Sequence, residues 1–352
     1  MTFASFKPTS SEQSHTENWT RTMASNLEQA SEVQRRQEKS EQARQRFLDS
    51  IARSTDYDWI MQNIRFGIEY PQQVYLQHGM KRTDEQLESQ LKQTWWKTVE
   101  AAKLYPADDD GRQYKLIAWV AGARARGTVP STTQDAYVAD GGKVLWKDLP
   151  FFEGALENAW ADEANLSKEK WTNLNAFASG LAQVTGMDLM QFGLQTIKAT
   201  LEEPRPVSSG NVESQAGHKS VADLLPAAIL WLGRSYSFFK VMLPMIERAI
   251  KEGKQPPTGC GSGIAPGELA LAGGVTRDGL SLARQRFWRH RLIEIGQHPG
   301  EPSGRAEGDR DTTAETAYEY SRRMATWNLN WPIDMKDVPG YEEPIEYKKD
   351  GT

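Results

Sequence analysis

"KEKWTNLNAFASGLAQ", Lys168 to Gln183, reads as an amphipathic helix with two asparagines among its large apolar residues. Leu174, Phe177 and Leu181 recur at helical spacing and form one apolar stripe. Asn173 and Asn175 fall on its two opposite edges, and Trp171 shares the Asn175 side. Asparagine is a poor helix former and needs hydrogen-bond partners when it is buried. Two readings are therefore open. Each amide serves a neighbouring backbone group or an adjoining helix end, or one of them points into a Trp-lined pocket as a polar anchor.

The helical pattern continues in both directions. "LESQLKQTWWKTVEAAKLY" places Leu87, Leu91, Trp95 and Val99 about one turn apart. "RQYKLIAWVAGARARG" is a further helix with Gly127 as its stop. In "DLPFFEGALENAWADE", Asp148 is expected to cap, Pro150 to occupy the first turn, and Phe152, Leu156, Ala159 and Trp160 to line one side. "MDLMQFGLQTIKATLEE" follows the quoted helix. Beyond a Pro/Ser/Gly loop, "SVADLLPAAILWLGRSYSFFKVMLPMIERAI" is apolar on nearly every face at its centre. It reads as one core helix bent at Pro226 or Pro244. The last strong helix runs from Gly279 to Ile295. No run alternates with period two, so no sheet is expected, and no repeat is visible. The expected architecture is all-α. A single multi-helix domain spans 47–295, preceded by a disordered segment 1–24 and a polar helical arm 25–46. A loop-rich, extended tail with a short helix follows at 296–352.

Composition narrows the function classes. The chain has 352 residues, 38% of them hydrophobic, and a formal net charge of −5. A mildly acidic chain argues against nucleic acid as a partner, because phosphate binding needs basic stripes. The single cysteine, Cys260, excludes an internal disulfide framework and a thiolate-rich metal site. The N-terminal stretch has no apolar leader, and the longest apolar run, Leu224 to Gly233, is too short to span a bilayer. The expectation is a cytoplasmic protein with no membrane partner. Its 12 tryptophans imply an aromatic-rich core or pocket.

The motifs are modest. "DDDGR", Asp108 to Arg112, superficially resembles an Asp-rich cation motif, but it sits between Pro106 and Gly111 with no second carboxylate motif. A loop is the better reading. "TGCGSGIAPGE" is glycine-rich but follows no strand and lacks the Gly-Lys-Ser/Thr ending, so it reads as a flexible loop. His15, His78, His218, His290 and His298 show no metal spacing, and neither a metal nor a cofactor is expected. The arginines are more informative. Arg284 and Arg291 fall on the apolar face of the last helix beside Phe287 and Trp288, and Arg234 ends the most apolar run. A buried guanidinium must be paired. Either carboxylates such as Asp148, Asp188 or Asp223 hold these groups, or they form a recessed site for an anion. The candidate ligand-binding set is Trp146, Trp171, Asn173, Asn175, Arg234, Arg284, Trp288 and Arg291.

Three elements together resemble a known family. They are Leu-Trp-x-Asp-Leu-Pro at Leu145 to Pro150, Trp-x-Asn-Leu-Asn-Ala-Phe at Trp171 to Phe177, and Arg-Phe-Trp-x-x-Arg-Leu at Arg286 to Leu292. With "LLPAAILWL" they are similar to the fungal family called domain of unknown function 3632, over residues 85–296. The resemblance implies a fungal, intracellular protein and assigns no reaction. Two functions are then in view. The first is an aromatic-rich pocket for a small molecule, an anion if the arginines bind it, serving an enzyme or accessory factor of fungal specialised metabolism. The second is a non-catalytic interaction or scaffold protein that meets a protein partner through the N-terminal arm and the tail around Trp327 and Trp331. A cavity lined by Trp146, Asn175 or Arg291 favours the first. A filled core with an exposed apolar groove favours the second.

Overall fold

The computed structural model describes residues 41–49, 57–78, 84–128, 138–207, 219–255, 263–297 and 312–327, with isolated positions between 31 and 39 and at 257 and 261. The segment 1–24, Cys260, His15, His218, His298 and Trp331 lie outside the described residues. The chain divides into two compact units, residues 1–64 and 65–352. In the first, the helical stretch 41–49 brings Phe47 onto Trp59, ring centroids 6.4 Å apart. Trp59 belongs to α1 (Tyr57–His78), which runs on into the second unit.

The second unit is helical. It contains α2 (Asp84–Leu104), α3 (Asp110–Ala125), α4 (Phe152–Ala161), α5 (Lys168–Thr185), α6 (Met190–Ile197), α7 (Val221–Arg234), α8 (Tyr236–Lys251), α9 (Glu268–Ala272), α10 (Leu282–Gln297) and α11 (Thr312–Trp327). The fold class is all-α. One small departure is an antiparallel pair of two-residue strands, β1 (Val138–Ala139) and β2 (Lys143–Val144). Two residues per strand are too few to leave a period-two signature.

The quoted stretch becomes the central helix. Ser167 caps α5 by accepting the Lys170 N–H, and Gly186, at φ +63°, closes it with its N–H on the Ala182 carbonyl. Trp171 and every residue from Asn173 to Leu181 are buried, because α2, α3 and α7 all pack on this helix. Phe152, Leu156, Ala159 and Trp160 are buried along α4 as their spacing predicts. Trp95 of α2 lies edge-on to Trp146 and Phe152, and Phe152 to Phe177, which joins three helices through one aromatic chain. Where α6 meets α7, a glycine leaves room for an indole. A Cβ on Gly193 would lie 2.6 Å from the Trp231 ring.

Two local expectations are corrected. Asp148 does not cap α4. Its carboxylate accepts the Val144 N–H, and the helix begins after Phe151, whose own N–H donates to Asp140. The long apolar segment is not one helix bent at a proline. It breaks at Ser235 (φ −87°, ψ 6°) into α7 and α8, just beyond Gly233. Pro226 and Pro244 both sit inside helices. Each removes one backbone hydrogen bond, and the surrounding packing tolerates that loss. Among the described residues no helix is long and apolar enough to cross a membrane.

Candidate functional site

The asparagines singled out by sequence are hydrogen-bonded within the core. Asn175 is fully buried. Its Nδ2 donates to the Trp171 carbonyl at 2.8 Å, and its Oδ1 accepts from Trp231 Nε1 at 2.7 Å and Thr196 Oγ1 at 2.9 Å. Thr196 in turn accepts from Trp160 Nε1. Asn173 serves the end of α2, accepting the Ala107 N–H and donating to the Lys103 carbonyl. Both asparagines therefore answer to the protein's own groups.

Arg284 is enclosed in the same way. Its Nε and Nη2 donate to the two oxygens of Glu202 at 2.6 and 2.9 Å. Nη1 donates to the Ile264 and Gly279 carbonyls, and Nη2 also reaches Ala265. All five guanidinium hydrogens thus have acceptors. Glu202 further accepts from Trp288 Nε1 at 2.5 Å and Gly267 N at 2.8 Å. Both ionic side chains are wholly buried. The carboxylate is none of Asp148, Asp188 and Asp223. It comes from a π-helical turn, Lys198–Glu202, which follows α6 directly and carries Glu202 into the core. Nor is the whole glycine-rich segment a free loop. Ile264 and Ala265 grip the guanidinium, and Gly267 sits so close that a Cβ would meet Glu202 at 2.7 Å.

The remaining candidates scatter. Trp146 is buried at φ +63°, in a loop where Asp140, Leu149 and Phe151 are also left-handed. Among the described residues neither the Trp146 nor the Trp171 indole N–H has a hydrogen-bond partner. Arg291 leaves the apolar face expected for it and pairs with Glu294 at 2.9 Å near the surface. The α10 stripe is Arg284, Trp288, Leu292 and Ile295. His290, half-buried, titrates below its ordinary value because burial and the neighbouring Arg289 disfavour its charged form. Asp109 of the acidic run caps α3 by accepting the Arg112 N–H, and no cluster able to hold a metal occurs among the described residues.

The family model described as "Protein of unknown function" (DUF3632) matches residues 95–292. The chain belongs to that family. No curated protein and no solved structure matches it. The matched span of this DUF3632 chain contains the asparagines, the ion pair and the opening described below.

That opening is a half-open cleft of about 600 Å³ where the end of α5 meets α6, α7 and α8. Met187, Met190, Met242, Phe238 and Trp231 supply its apolar lining, and Arg234 lies among them. Arg234 is the one member of the candidate set on the cleft wall. Its Nη1 donates to the Ala176 carbonyl and to Ser179 Oγ. Trp231 forms the floor, tied from behind to Asn175. None of Trp146, Asn175 and Arg291 lines the space.

The cleft runs onto an uncovered face of α8. The inner stripe of that helix is Phe239, Leu243 and Ile246. A second stripe, Phe238, Val241, Met242 and Met245, points away from it, with Val241 60% and Met245 49% exposed. Sequence reasoning missed this face. Its signal was present in "FFKVMLPMI", which holds more apolar residues than one side of a helix can bury.

Proposed function

We propose that this DUF3632 protein is a non-catalytic interaction protein whose cleft receives an apolar segment of a protein partner. The observation that carries the reading is the cleft's continuity with the exposed α8 stripe, beside a core filled at Trp146, Trp171 and Asn175. Exposed contiguous apolar surface marks interaction sites. Methionine suits such a surface because its flexible thioether adapts to the partner. A cytoplasmic, fungal setting belongs to the same proposal and is supported by the family resemblance. The second reading is a small amphipathic ligand of fungal specialised metabolism. The cleft volume, within the range of small-molecule sites, and the Arg234 guanidinium favour it.

One titration separates the two. The probe is a labelled designed helix of about eighteen residues with leucine along one face and glutamine elsewhere. It should bind the full chain, and binding should vanish in the Val241→Glu/Met245→Glu variant while melting is unchanged. Decanoate below its micellar concentration should not displace it. Decanoate that binds in the absence of any peptide binding would transfer the cleft to the small-molecule reading.

A further inference from the structure

The flanks of the α8 stripe specify the partner's charge. At 100° per residue, Phe238, Val241, Met242 and Met245 occupy one arc of the helix. The arc opposite the buried stripe's near edge carries Lys240, Arg248 and Lys251, all exposed. Glu247 shares that side and is half-buried. Its carboxylate accepts the Leu282 N–H at 3.3 Å. Among the described residues none of the three cations forms an ion pair, whereas Lys254 just beyond the helix is paired with Glu252. An apolar stripe about two turns long, bordered by unpaired cations, is one half of a helix-in-groove interface. The apolar anchors give affinity, and the rim charges steer the encounter and select the partner.

Resting on the interaction reading above, we infer that the partner is an acidic amphipathic helix. It would place apolar residues at i, i+3 or i+4 and i+7 on Phe238, Val241, Met242 and Met245, and carboxylates against Lys240, Arg248 and Lys251. A second copy of this chain is a poorer occupant, because its own α8 would bring the same three cations to the rim and like charges oppose each other there.

The test uses two designed helices with the same leucine face, one flanked by glutamate and one by lysine, titrated into the full chain by fluorescence anisotropy. The glutamate helix should bind roughly tenfold more tightly at low salt, and the gap should close as salt rises. Lys240→Glu/Arg248→Glu/Lys251→Glu should reverse the preference, which a merely sticky apolar face does not do. Equal binding of both helices, insensitive to charge reversal, overturns the acidic partner and leaves the interaction reading standing. Failure of both, together with the glutamine helix, overturns both proposals. Sedimentation showing a dimer that Val241→Glu dissociates would assign the face to a second copy and overturn the inference.

Discussion

The Glu202–Arg284 cluster and the outer face of α8 are built on opposite terms. In the cluster a charged pair lies where no water reaches, and every donor has an acceptor. On α8, large apolar side chains lie where water does reach, and nothing described covers them. Residues of functional reputation, arginine and asparagine, are spent on holding the fold. Unremarkable residues, methionine and valine, are left facing outward. A polar group that looks like a site in sequence must therefore be judged by whether its hydrogen bonds are already used.

The largest expected effect lies at the buried pair. Arg284→Met strands the Glu202 carboxylate, and Glu202→Gln strands the guanidinium. Each should cost about 3–5 kcal/mol in equilibrium unfolding. The Arg284→Met/Glu202→Met double variant should lose much less than the sum, since neither charge is then left alone. Near-wild-type melting of the single variants would mean that the cluster is not closed. Asn175→Ala should rank next. It removes the acceptor of Trp231 Nε1, whereas Thr196 Oγ1 keeps the Phe192 carbonyl, for a cost of about 1–3 kcal/mol.

Smaller effects sharpen the contrast on the surface. Arg291→Met removes one exposed pair and should change stability by less than about 1 kcal/mol. Val241→Glu and Met245→Glu should stay within about 0.5 kcal/mol, because both sites face solvent. A large stability loss at either would show that the stripe is covered by the chain itself.

The smallest effect is a pH dependence at His290. Its folded pKa is lowered, so between the folded and unfolded values the unfolded chain binds more proton. Its unfavourable contribution is absent above about pH 6.5 and grows as pH falls through the folded value. Compared with His290→Gln, the wild type should therefore lose stability from about pH 6.5 downward. A difference constant from pH 8 to about pH 5 would contradict the burial of this ring.

Much of the fold was legible. The stripe Leu174, Phe177, Leu181 identified the central helix, and Phe152 to Trp160 identified a buried one. The break at Ser235 was not legible, because two internal prolines gave a stronger local signal than the Gly233-Arg234-Ser235 run. Of the site, Arg284 was placed with Arg291 beside Phe287 and Trp288, but Glu202, the partner of Arg284 and Trp288, lies 82 and 86 positions away from them. Only tertiary packing pairs residues that far apart. The α8 face was misjudged for a physical reason. An all-round apolar helix is ordinarily buried all round, and among the described residues this one is covered on one side only.

On the proposal above, a partner docks on the outward apolar face and not on the enclosed polar residues. Methyl-labelled methionine spectra of the full chain, titrated with the glutamate-flanked helix, test it most directly. The account predicts shifts at Met187, Met190, Met242 and Met245, with Met61 and Met324 unmoved. Shifts absent from Met242 and Met245 while binding is observed would place the partner elsewhere and contradict the account.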